Sequence, residues 1–298
     1  IMDVYMDAVF YPDIYNKPQI FKQEGWHYEL ENEDDELKIN GVVYNEMKGA
    51  FSSPDEVLER EIMNHLFPDT TYGCESGGDP KNIPDLTYEN FLNFHRTYYH
   101  PSNSYIYLYG NMDMEEKLAF LDEHYLSHFD YLDVDSVIQE QKAFGACQDV
   151  TLEYPVAENE GEEDNTYLSY NMVVGNAADS QMAMAFEVLD YALLSAPGAP
   201  LKQALLDVKA GKDVYGSYDD GILQPYFTVI AKGSNPDRKE EFVSVIRQVL
   251  GDIVKNGIDR KAVEAGINYF EFRYREADFS SYPKGLMYSL DILGDWLY

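Results

Sequence analysis

Helical and strand-like periodicities alternate in two successive rounds along the chain, separated by a stretch from about 129 to 149 with no sustained period. Strands that feed helices on both sides of such a break predict an α+β fold of two layered α/β domains. The first domain is expected over 1–133, the linker over 134–149 and the second domain over 150–298. A chain of 298 residues is long enough for both to bury a core.

In the first round, apolar spacing predicts a helix in the first 15 residues, ending at Pro12. Trp26, Tyr28 and Leu30 alternate with polar residues as in a half-buried strand, and an acidic loop, Glu31 to Glu36, follows. Val43, Met47 and Ala50 share one face of a helix from about Gly41 to Ala50. Ser53-Pro54-Asp55-Glu56 reads as a capping box opening a helix to Leu66, either separate from the one before or continuing it through a kink at Pro54. Thr87 caps a helix to Tyr99, which Pro101 stops. Both faces of Tyr105–Tyr109 are apolar or aromatic, which predicts an interior strand before a helix from Met114 to about His128.

The second round opens with strands Val150–Val156 and Tyr167–Val174 around an acidic loop, Glu158 to Asp164. Helices are expected at Gln181–Leu194 and Leu201–Ala210, separated by the Ala196–Pro200 break. A strand pair, Asp213–Tyr218 with Pro225–Ala231, precedes helices at Glu240–Lys255, Arg260–Asp278 and Lys284–Tyr298.

Composition removes several functions. Fifty-four acidic against 22 basic residues give a net charge of -32, which repels phosphate backbones and argues against nucleic acid as a partner. The 26 tyrosines argue against disorder. No run of 18 apolar residues is present, so no membrane-spanning helix is expected, and the first residues lack the pattern of a signal peptide. Cys74 and Cys147 are too few for a disulfide framework, so a reducing, cytoplasmic setting is expected. A helix-like pattern running into both termini suggests a piece of a longer protein, and apolar surface left open in it is expected to drive self-association.

Catalytic motifs are scarce. His124 and His128 stand one helical turn apart, a spacing able to grip zinc, but no glutamate between them can serve as base. His95 and His100 fall on different sides of a helix, and His100 is expected to satisfy backbone carbonyls at the helix end. The chain contains no His-Glu-x-x-His, His-x-x-Glu-His, phosphate loop or Gly-x-Ser-x-Gly elbow. Neither cysteine has a local histidine partner. Read from the residues alone, Glu46 is a carboxylate on a helix surface, and Gly77-Gly78-Asp79-Pro80 is a tight turn.

Several ordered stretches carry a resemblance. Gln23-Glu24-Gly25-Trp26 precedes Gly41-Val42-Val43-Tyr44-Asn45-Glu46-Met47-Lys48-Gly49-Ala50-Phe51. Then come Ser76-Gly77-Gly78-Asp79-Pro80, Ile83-Pro84, Leu86-Thr87, the run from His95 to Gly110, and Tyr282-Pro283-Lys284-Gly285-Leu286. Together they resemble the presequence-protease branch of the pitrilysin/insulinase metallopeptidases, the inverted zincins, across essentially the whole chain.

That resemblance implies two pitrilysin-type domains, both incomplete, from a zinc-dependent endopeptidase that degrades short unfolded peptides. Members hold zinc with the two histidines of His-x-x-Glu-His and a downstream glutamate, and the motif's own glutamate activates water. Only the downstream ligand has a counterpart here, Glu46, with Asn45 and Lys48 as candidates to orient it. The resemblance places the histidine motif before Ile1 and the substrate-gripping Arg and Tyr after Tyr298. The chain alone is thus expected to be inactive and to bind zinc weakly or not at all. The alternative is a relative without catalysis, a scaffold or partner subunit that binds peptides or proteins.

Overall fold

The computed structural model describes residues 1–156, 161–276 and 279–297. Residues 158–160 of the expected acidic loop and the expected helix ends at 277–278 and 298 lie outside them. The chain forms two compact units, one from 1–60 and 71–139, the other from 61–70 and 140–298.

The first unit opens with α1 (Met2–Phe10), a 3-10 turn at Asp13–Tyr15, and a short helical turn, α2 (Pro18–Ile20), that widens into a π turn at Phe21–Gly25. An antiparallel hairpin of β1 (His27–Glu29) and β2 (Lys38–Asn40) leads into α3 (Val42–Ala50). A turn with Ser52 and Ser53 amides donating to the Gly49 and Ala50 carbonyls separates α3 from α4 (Pro54–Leu66), so these are two helices and not one kinked helix. Then come α5 (Tyr88–Tyr98) and α6 (Met114–His124). Thr87 and Asn90 form a reciprocal capping box on α5. The core of this unit packs Met6 and Phe10 of α1 against Leu121 and Tyr125 at the end of α6, with Leu108, Phe120 and Phe129 around them.

Two expectations fail in this unit. The segment Tyr105–Tyr109 runs outside both sheets, with Tyr105 and Tyr109 more than half exposed. Its alternation is real, and Leu108 packs on the α1–α6 core. A strand also needs a ladder partner, however, and among the described residues the only ladder of this unit is β1–β2. Similarly, α6 ends at His124, where Tyr125 leaves helical geometry, and residues 126–128 form a 3-10 turn.

The second unit is built on an antiparallel sheet of β3 (Thr166–Val173), β4 (Asp213–Asp219) and β5 (Tyr226–Ser234), in the order β3-β5-β4. Central β5 is buried over six consecutive residues, Tyr226–Ala231, as expected of a strand covered on both faces. Covering it are α7 (Ser180–Asp190), a π turn at Tyr191–Ser195, α8 (Pro200–Asp207) and α9 (Lys239–Asn256). Leu194, Leu201, Leu205, Phe242 and Ile246 seal the core with Val214 and Val229. Each such side chain taken from water contributes about 1.5–3 kcal/mol.

Two further helices, α10 (Arg260–Glu276) and α11 (Lys284–Trp296), complete the unit. Residues 61–70 join it through Phe67, fully buried beside Tyr226, and through buried Gln141. The Gln141 side chain accepts from the Asp69 amide at 2.9 Å and donates to the Asp69 carboxylate at 2.8 Å. The expected strand Val150–Val156 is irregular chain, since β3 forms its ladder with β5 and the described sheet adds no fourth strand.

Candidate functional site

The chemistry-bearing part of the first unit is the hairpin–helix junction around α3. Gly41 caps the helix, and a Cβ there would lie 2.2 Å from the Gly25 carbonyl oxygen and 2.8 Å from the Trp26 Cα, so only glycine lets the two backbones meet. Just before it, Asn40 Oδ1 accepts from the Gly41 amide at 2.8 Å and from Asn45 Nδ2 at 2.6 Å. Because a backbone amide can only donate, this contact fixes which end of the Asn40 amide is oxygen. Asn40 Nδ2 then donates to Glu29 Oε2 at 2.8 Å across the hairpin.

Within α3, Val43, Tyr44, Met47 and Ala50 are half-buried, whereas Val42, Asn45, Glu46 and Gly49 form an exposed stripe at helical spacing. Met47 lies on the turn at Gly77, where a Cβ would come within 2.2 Å of its sulfur. Gly78 supports that turn with a φ of 91°. Glu46 is exposed, and neither it nor Lys48 makes a hydrogen bond or ion pair among the described residues. Lys48 sits in the last turn, where its charge suits the helix dipole. The Asn45 amide is committed to Asn40.

The histidines have structural roles. His95 Nε2 donates to the Val9 carbonyl at 2.8 Å, Nδ1 accepts from the Tyr15 hydroxyl at 2.7 Å, and the ring stacks on Tyr99. His27 and His65 bond the carbonyls of Lys22 and Glu61. His100 corrects the sequence expectation, because its Nδ1 accepts from the Ser102 amide and so caps the turn that follows instead of satisfying carbonyls of the helix before. His124 packs on Phe120, while His128 sits in the 3-10 turn that interrupts the shared helical face.

Among the described residues, no group of three or more His, Cys, Asp or Glu side chains could hold a metal. A catalytic zinc takes three protein ligands. The Glu46 carboxylate is unengaged, and among the described residues it does not belong to such a group. A hollow of about 450 Å³ beside Pro101, Ile106, Leu126 and Tyr131 offers one carboxylate, Asp130, and no acid–base pair.

Carboxyls raised by burial lie elsewhere, in the second unit. Burial raises Asp190 to about 6, opposed by a hydrogen bond from Ser195, and leaves its Oδ1 without a partner. Burial likewise raises Glu187, helped by Asp220 and opposed by Arg273. Sequence reasoning singled out neither, since no motif marks them and α10 packs on α7 and its π turn only through the tertiary fold, with the Tyr274 hydroxyl reaching Glu187.

A family model described as the peptidase M16 inactive domain matches residues 85–270. The chain is 52% identical over 298 residues to protein HypA of Clostridium perfringens, covering 100% of this chain and 31% of that protein. It is 38% identical over 302 residues to presequence protease 1, chloroplastic/mitochondrial, of Arabidopsis thaliana, covering 100% of this chain and 28% of that one. Among solved structures, a peptidase M16 inactive domain from Pseudomonas fluorescens aligns with a TM-score of 0.62 at 19% identity, covering 86% of this chain and 59% of that one, a likeness of fold. The chain thus spans about three-tenths of the length of the curated relatives it matches. With a matched domain over most of its length and both units of mixed helix and sheet, this chain belongs to the peptidase M16 family, the pitrilysin/insulinase metallopeptidases.

Proposed function

We propose that this chain is a segment of a longer zinc-dependent endopeptidase acting on short unfolded peptides, and that Glu46 is the zinc ligand it contributes. The observation that carries this reading is the unengaged Glu46 carboxylate, held on the open stripe of a helix anchored on its other face. Likeness to a presequence protease over the full chain supports the substrate class. Zinc, when bound, polarises the scissile carbonyl and lowers the pKa of its water. In this chain Glu46 holds one coordination position, and the inactive-domain match over 85–270 supports a chain that cleaves nothing by itself.

Residues 1–133 are read as the end of the catalytic domain and 150–298 as the second, non-catalytic one. The break between the units at 139–140 supports a linker at 134–149, with 61–70 as the exception because it packs on the second unit. The net charge of -32 favours basic peptides, and that preference weakens with added salt.

The test is peptide cleavage by the full-length polypeptide with and without Glu46→Gln. Cleavage is lost in the variant, and unchanged cleavage rejects the assignment. A non-catalytic peptide-binding scaffold is the second reading, favoured by the same inactive-domain match; a full-length polypeptide that binds peptides and never cleaves them selects it.

A further inference from the structure

We infer that Asn40 is a positioning residue for Glu46, acting through a hydrogen-bonded chain from Glu29 to Asn45. This rests on Glu46 being a zinc ligand. The Asn40 side chain uses both ends. Its Nδ2 donates to Glu29 Oε2 at 2.8 Å, and its Oδ1 accepts from the Gly41 amide at 2.8 Å and from Asn45 Nδ2 at 2.6 Å. Those bonds join β1, the end of β2 and the first turn of α3 into one rigid piece. Asn45 immediately precedes Glu46 on the exposed stripe, so drawing its side chain back to Asn40 sets the rotation of that stripe about the helix axis.

Two close approaches hold the rest of α3. Gly41 meets the Gly25–Trp26 backbone at the N-terminus, and Met47 lies on Gly77 along the inner face. With the inner face seated and the first turn tied, the stretch of backbone from which the Glu46 side chain projects is held in place, which narrows the region its carboxylate can reach. A ligand that must meet donors from elsewhere in the polypeptide gains affinity from being held in place beforehand. Polar residues with no packing role are ordinarily solvated. Asn40 instead satisfies three partners at hydrogen-bond distances at the one junction that carries this carboxylate.

The experiment exchanges donor and acceptor. Asn40→Asp keeps an oxygen for the Gly41 and Asn45 donors but sets a carboxylate against Glu29. The double variant Glu29→Gln/Asn40→Asp restores the chain, since the new glutamine amide donates where a carboxylate accepted. In the full-length polypeptide, zinc affinity is measured by chelator competition, and the cobalt(II)-substituted protein gives the visible ligand-field bands. Asn40→Asp weakens zinc binding about 10- to 100-fold and alters the cobalt bands, and the double variant returns both towards wild type. Unchanged affinity and spectrum in Asn40→Asp, or a double variant as weak as the single one, overturn the inference.

If Asn40→Asp does not fold, Asn45→Ala at its exposed position breaks the same tie and carries the same expectation and the same refutation. Glu46→Gln is the control that separates the two claims. If it leaves zinc affinity intact, the ligand assignment fails. If it abolishes binding while Asn40→Asp and Asn45→Ala leave binding untouched, positioning alone fails.

Discussion

The Tyr125 hydroxyl donates to the Asp3 carboxylate at 2.6 Å and approaches the Asp3 carbonyl at 2.8 Å, joining the end of α6 to the start of α1 across 122 residues of sequence. Around it Met6, Phe10 and Leu121 close the core of the first unit, so one phenol supplies both packing and the polar contact that fixes helix register.

This contact has an alkaline signature. The hydrogen bond to Asp3, then burial and the carboxylates of Asp3 and Asp7, push the Tyr125 phenol up from 10.0 to about 12. A group whose folded pKa is raised contributes stability fully below its unfolded value and loses it as pH rises through the folded one. Chemical denaturation series from pH 8 to 12 should therefore show stability falling above pH 10, with a smaller fall in Tyr125→Phe, which is already less stable at pH 8. Equal alkaline slopes in the two proteins would refute the contact.

Asp190 behaves in the opposite sense to most carboxylates. Burial raises it from 3.8 to about 6, so its contribution is fully present below pH 3.8 and lost as pH climbs through 6. Asp190→Asn should stabilise the chain at pH 7.5 by roughly 1 kcal/mol, after discounting for its partial exposure, and by much less at pH 4.5. Denaturant melts at the two pH values read the difference.

Gly216 lets the π turn lie on the sheet. A Cβ there would be 2.3 Å from the Thr228 carbonyl oxygen and 2.4 Å from Leu194 Cδ1. Gly216→Ala should cost about 1–3 kcal/mol, the range of overpacked cores. Gly145→Ala, where nothing lies within 4 Å, should stay within about 0.5 kcal/mol in the same melts.

Large apolar side chains lie open on both units, among them Val4, Tyr5 and Tyr131 on the first and Phe272, Ile292 and Trp296 on the second. The isolated chain should self-associate at micromolar concentration. Sedimentation velocity over a dilution series reads this, and a concentration-independent monomer would contradict it.

What could be read from the sequence was what local periodicity encodes. Val43, Met47 and Ala50 gave α3 its face, and Phe242, Val245, Ile246 and Val249 gave α9 its own. Tyr105–Tyr109 misled because alternation states a preference for two faces and says nothing about a neighbour to complete the ladder. The tie through Asn40 was invisible for a related reason. Glu29 reaches it only because the hairpin pairs β1 with β2 in one register, with His27 opposite Asn40 and Glu29 opposite Lys38. His100 was placed at the right helix end, but whether its ring accepts or donates depends on how the chain turns at Pro101.

The central claim is that Glu46 was built to meet a metal, and zinc stoichiometry of the full-length polypeptide tests it most directly. Wild type should retain close to one zinc per molecule after dialysis against a weak chelator, and Glu46→Gln should retain almost none while its unfolding temperature stays within a few degrees. Equal zinc in the two proteins would contradict the account.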